Sequence, residues 1–143
     1  MAEPRRRHSN GPSGLEERLV RLPPLGLEGT ITLPARAPGI VIFAHGSGSS
    51  RLSPRNRAVA SALNQAGQAT LLFDLLSEPE SADRRNVFDI ALLARRLMLA
   101  TDWIAGQDEF RGLALGYFGA STGAAAALAA AAASTYSELV AEL

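Results

Sequence analysis

At residues 116–123 the chain reads Gly-Tyr-Phe-Gly-Ala-Ser-Thr-Gly, which places Ser121 at the centre of a G-x-S-x-G motif. An apolar run, residues 113–118, leads into the motif, and an alanine-rich run to Ala133 leads out of it. The first predicts a buried strand and the second a helix, so Ser121 falls on the sharp turn between them. Glycines two positions before and two after the serine remove Cβ atoms that would collide in so tight a turn, and they leave Oγ exposed. The N-terminus of the following helix aims the Thr122 N–H at an oxyanion developing on a substrate. The plainer alternative is an ordinary glycine-rich helix start.

Upstream, Ile40-Val41-Ile42-Phe43-Ala44 is a continuous apolar, β-branched run, as in a strand covered on both faces. His45-Gly46-Ser47-Gly48-Ser49-Ser50 follows it. Its glycines let the backbone N–H groups of Gly46 or Ser47 approach a carbonyl oxygen, the second half of an oxyanion hole. A tight turn and an anion-cradling loop are the alternatives. The phosphate-binding consensus fails, because no Gly-Lys-Ser/Thr follows and G-x-G-x-x-G is not completed. Ser53 then caps a helix with Pro54 in its first turn, and Gly67 ends it. Residues 69–73 form another buried strand with Asp74 at its end. Residues 76–85 form a polar connection, and Asn86 caps a long helix whose apolar face includes Val87, Ile90, Ala94, Leu97, Met98 and Ile104. Residues 19–22 and 27–33 suggest two strands joined across Pro23-Pro24-Leu25-Gly26. Thr135 and Glu138 have capping-box spacing.

The whole is an α/β chain: a hairpin, then strands alternating with helices, hence a mostly parallel sheet of about five strands with helices on both faces. Residues 1–14 form an Arg/Pro/Gly-rich tail expected to be disordered, and residues 15–143 one domain. The 143 residues contain no cysteine, which excludes disulfides, thiolate metal sites and a cysteine nucleophile. Fourteen basic residues, all arginine, balance fourteen acidic ones, which argues against binding nucleic acid by neutralising phosphates. Arg5–Arg7 precede no apolar segment, so a secretory leader is not expected. Residues 112–137 carry no charge, but glycines and alanines make a poor membrane span. The expectation is a cytoplasmic protein with no metal, cofactor, nucleic acid or membrane partner.

These motifs, with FAHGSGSSRLSPRNR at residues 43–57 and LLFDLL at 71–76, resemble the α/β-hydrolase superfamily and its dienelactone hydrolase-like branch. The resemblance runs from about Val20 to Ala133. It implies a partial α/β-hydrolase fold, with Ser121 as nucleophile, Gly46, Ser47 and Thr122 at the oxyanion hole, and a small-molecule ester or acyl substrate. Founding members of the branch use cysteine, so Ser121 points to an esterase-like enzyme. In the family an acid and then a histidine follow the nucleophile on later strands. Here no histidine follows His45, and only Glu138 and Glu142 are acidic beyond Ser121. The chain therefore looks C-terminally truncated, with the acid and base expected from outside it. Residues 113–118 would then be a bare sheet edge, open to self-association or to a complementing chain. His45, Asp74, Arg51 and Arg55 are expected near the site. By family pattern His45 orients the oxyanion loop, and a base role is its weaker alternative. Asp74 is a turn residue or a polar site residue, and the arginines face solvent or an anionic substrate. Arg95 and Arg96 are expected on an exposed helix face, and Trp103 in the core. The competing functional reading is a non-catalytic remnant that serves as an interaction module.

Overall fold

The computed structural model describes residues 5–8, 14–133 and 140–142. Arg5–His8 (β1), Glu16–Leu22 (β2) and Leu27–Leu33 (β3) are antiparallel neighbours. In β2, Arg18, Val20 and Leu22 are buried while Glu17, Leu19 and Arg21 face out, the two-residue period of a strand with one covered face. Arg18 is only 5% exposed. It donates to Glu16 at 3.0 and 3.1 Å and to Glu109 at 2.5 Å, and it lies over the Phe110 ring.

Gly39–Ala44 (β4) runs through helix Pro54–Gln65 (α1) to Ala69–Phe73 (β5). Every residue of β5, and all but Val41 of β4, is buried, as unbroken apolar runs require. The Ser53 hydroxyl accepts the Asn56 N–H at 3.3 Å, and Pro54 opens α1, as expected. Glu78–Ser81 (α2) and Arg84–Val87 (α3) are single turns. Ile90–Ala105 (α4), a 3-10 turn at Asp108–Phe110, Ala114–Gly119 (β6), Thr122–Ala133 (α5) and Val140–Glu142 (β7) complete the order.

The strands lie in the order β1-β2-β3-β5-β4-β6-β7. From β5 to β7 all pairs are parallel, whereas β3 meets β5 antiparallel. In this register Ala44 pairs with Gly119, so the loops leaving β4 and β6 start side by side. α1 covers one face, packing Val59, Ala60 and Leu63 on Phe43, Leu72 and Phe118. α4 and α5 cover the other, with Leu93, Leu97, Ile104, Ala126 and Ala130 against Ile42, Leu71 and Tyr117. The buried Tyr117 hydroxyl meets Thr101 Oγ1 at 2.5 Å and ties β6 to α4. The uncharged run divides into β6 and the twelve-residue α5, and among the described residues no helix is long and apolar enough to cross a membrane.

Four features differ from expectation. The sheet has seven strands rather than about five. One of the additional two, β1, falls in the segment expected to be disordered. Arg5 pairs with Leu19 and His8 with Glu16, while residues 1–4 and 9–13 lie outside the described residues. Second, β6 is not a bare edge, since Gly116, Tyr117 and Phe118 pair with Val140, Ala141 and Glu142 of β7. Third, the long helix begins at Ile90, not after Asn86. The Asp89 carboxylate accepts the Leu92 N–H at 3.0 Å as its cap, and the Asn86 amide donates to the Glu80 carbonyl. Fourth, the polar connection contains α2, opened by a Ser77/Glu80 capping box. The Thr135/Glu138 box lies outside the described residues.

Candidate active site

Ser121 occupies the turn between β6 and α5 with φ +57°, a left-handed backbone that a non-glycine residue adopts only when its surroundings enforce it. The enforcement comes from two glycines. A Cβ on Gly119 would strike the Gly123 carbonyl, and a Cβ on Gly123 would strike the Ala44 carbonyl and lie 2.7 Å from that of His45. The elbow is thus pressed against the end of β4, and only glycine fits at either place. Ser121 is exposed at the crest, while Thr122 and Gly123 enter the helix.

The loop leaving β4 passes beside this crest. A Cβ built on Gly46 would lie 3.2 Å from the Ser121 Cβ and 3.1 Å from the Ala120 carbonyl oxygen. Among the described residues the N–H groups of Gly46, Ser47 and Thr122 have no acceptor, so they remain available to an incoming oxygen. The Thr122 hydroxyl is buried and also lacks a partner among the described residues.

His45 is 9% exposed and fully engaged. Its Nε2 accepts the Leu75 N–H at 3.0 Å, which leaves Nδ1 protonated and donating to the Gly46 carbonyl at 3.1 Å. Burial pushes its pKa below 6.5, against weaker opposing effects of the Gly46 carbonyl and Asp74, so the ring is neutral near pH 7. With neither nitrogen free, it is placed to brace the loop and not to take a proton from Ser121.

Asp74, at the end of β5, accepts the Arg51 N–H at 2.8 Å and the Arg51 guanidinium at 2.7 Å. Arg51 also reaches Glu28 of β3 at 3.0 Å. Its charge is therefore spent on two carboxylates and clamps the loop between β3 and β5. Arg55 is exposed on α1 and does not line the cleft. Trp103 packs against the core as expected. Arg96, expected to face solvent, instead donates to both Glu80 oxygens at 2.6 and 2.7 Å and to the Leu75 carbonyl at 3.2 Å. Leu75, whose N–H holds His45, is itself held from α4 through its carbonyl. The Ser77-x-x-Glu80 spacing could have revealed the cap at this place, whereas Arg96 and the Leu75 N–H leave no sequence signal.

A cleft of about 580 Å³ opens beside these loops. Residues 45–51, Asp74 and Thr122 contribute to its lining, as do Leu25, Leu27 and Glu28 from the β2–β3 turn region and Leu76, Glu78, Val87 and Leu93 from the chain after β5. Ser121 stands outside this lining, between Thr122 and the neighbouring Gly46. Among the described residues no group of three His, Asp or Glu side chains is placed to hold a metal ion.

No protein-family model matches the chain. Among solved structures, a dienelactone hydrolase from Anabaena variabilis superposes with TM-score 0.79 and 46% identity, over 96% of this chain and 62% of that one. A cold-adapted esterase from an Arctic intertidal metagenomic library superposes at TM-score 0.68 and 18% identity, over 92% of this chain and 61% of its own. A dienelactone hydrolase-like promiscuous phosphotriesterase from metagenomic libraries gives TM-score 0.68 and 21% identity, over 90% and 59%. The latter two likenesses establish the fold alone. The chain has a partial α/β-hydrolase fold and is similar in sequence and structure to part of a dienelactone hydrolase. A curated relative from Mycobacterium tuberculosis, named "Putative phosphoribosyl transferase", is 58% identical over 117 residues. Those residues are 82% of this chain and 26% of the relative, so the chain spans about a quarter of the length of the curated relatives it matches.

Proposed function

We propose that this chain carries the nucleophile and oxyanion half of a serine hydrolase acting on a carboxylic ester or related acyl bond. The observation that carries the reading is Ser121 at positive φ on an elbow closed by Gly119 and Gly123, beside three unpaired N–H groups. Ser121 Oγ would add to the acyl carbonyl, and the N–H groups of Gly46, Ser47 and Thr122 would hold the resulting oxyanion. Among the described residues no histidine or carboxylate is hydrogen-bonded to Ser121, and His45 has both nitrogens in use. The general base and its orienting acid would therefore come from outside the described residues, a reading supported by the 62% of the dienelactone hydrolase chain that is covered.

The test is covalent labelling by a fluorophosphonate, read by intact mass, with Ser121→Ala as control. One adduct that vanishes in the variant supports an activated serine. A folded protein that takes no adduct sinks catalysis by this chain alone. It would favour the second reading, an interaction module. The phosphoribosyl transferase name of the M. tuberculosis relative, and an anion-cradling role for residues 45–50, receive less support. Arg51, which directly follows these residues, is already held by Asp74 and Glu28.

A further inference from the structure

Five titratable side chains line the cleft: Glu28, His45, Arg51, Asp74 and Glu78. His45 is buried and uncharged near neutrality, with both nitrogens hydrogen-bonded to backbone. Three carboxylates then face one guanidinium, and that guanidinium is committed to Asp74 at 2.7 Å and Glu28 at 3.0 Å. Arg21 touches Glu28 at 3.4 Å from outside the lining but is 68% exposed, where solvent screens it. Arg55 and Arg57 lie exposed on α1 and are likewise outside the lining. The remaining positive feature, the N-terminus of α5, is directed through the Thr122 N–H at the reacting oxygen. The rest of the lining includes five aliphatic side chains, Leu25, Leu27, Leu76, Val87 and Leu93.

We infer that this cleft selects esters whose acyl or alcohol part is uncharged or cationic and partly apolar, and that it disfavours substrates carrying a carboxylate. A negative group entering it finds three carboxylates against one guanidinium, and no free cation on the cleft lining among the described residues. An apolar group finds aliphatic side chains, and a cation finds Glu78 and Glu28. The inference rests on the reading of Ser121 as nucleophile, but the charge balance of the cleft can be measured separately.

Two experiments on the full chain test it. In the first, Ser121 labelling is timed with three fluorophosphonates of equal length ending in methyl, trimethylammonium or carboxylate. The carboxylate probe is expected to label about tenfold more slowly at low salt, with the gap closing at high salt and narrowing in Glu78→Gln. Equal rates for methyl and carboxylate probes, or a gap insensitive to salt and to Glu78→Gln, overturn the inference. If no probe labels Ser121, catalysis by this chain alone has failed, and the second experiment decides cleft selectivity by itself. Butyrate, butyramide and butyltrimethylammonium are titrated against the amide resonances of Gly46, Ser47 and Thr122. Butyrate should move them only at higher concentration than the other two; movement by butyrate at equal or lower concentration overturns the inference.

Discussion

Two residues fix the local chemistry, Gly123 and His45. Gly123 lies against the Ala44 and His45 carbonyls, where neither side can give because both are backbone. Gly123→Ala is expected to destabilise by about 3 kcal/mol or more, read by urea unfolding. Gly48→Ala, at positive φ but in open space, should cost only about 1 kcal/mol. His45 is held neutral by burial, so its folded pKa lies below 6.5. As pH falls below that value the unfolded chain binds a proton that the folded chain resists, and stability declines until the folded value is passed. His45→Phe should cost about 1–3 kcal/mol near neutrality, because the buried Leu75 N–H loses its acceptor. It should also flatten the decline in stability below 6.5, which thermal unfolding across pH will show. The G-x-S-x-G spacing made the elbow legible, because that geometry leaves glycine no alternative. The loop's brace was legible only in part, since a histidine accepting a backbone N–H from residue 75 leaves no pattern in the sequence.

Single elements show where local signals end. Strands β4 and β5 and helix α1 were readable because burial on both faces, or a serine cap with proline, writes itself into adjacent residues, and β6 because an apolar run leads into the G-x-S-x-G motif. The chain between β5 and α4 was misread because apolar spacing runs on from Val87 through Ile90, while the break at Asp89 rests on one carboxylate–amide bond. Arg96 and Glu80 join this region across sixteen residues. The Arg96 hydrogen bonds lead in lowering the Glu80 pKa from 4.5 to about 2, partly opposed by desolvation and helped by Ser77. The stability that this pair contributes is thus complete above 4.5 and lost as pH falls through about 2. Glu80→Gln is expected to cost about 1 kcal/mol at neutral pH, with the difference from the parent vanishing under strong acid, as measured by chemical denaturation at matched pH. Hydrogen exchange of the Leu75 amide should quicken in the same variant, because Arg96 then loses the carboxylate that orients it toward the Leu75 carbonyl.

At the scale of the whole molecule, the sheet order explains both a correction and a risk. β7 takes the edge of β6 with three residue pairs, so the bare edge expected from sequence is covered. Its pairing is backbone to backbone, and so short a strand has no periodicity to read. A chain ending after Ala133 should expose β6 and self-associate, seen as a mass increase by light scattering; a monomer at the same concentration would contradict this. The antiparallel flank carries a different consequence. β3 pairs not with β4, the next strand in sequence, but with β5, more than thirty residues further on. During synthesis the β2–β3 hairpin leaves the ribosome with one side of β3 unsatisfied, and it waits for β4, α1 and β5 to emerge before it can dock. Chaperone protection should be needed most in that interval, before the last residue of β5 is free.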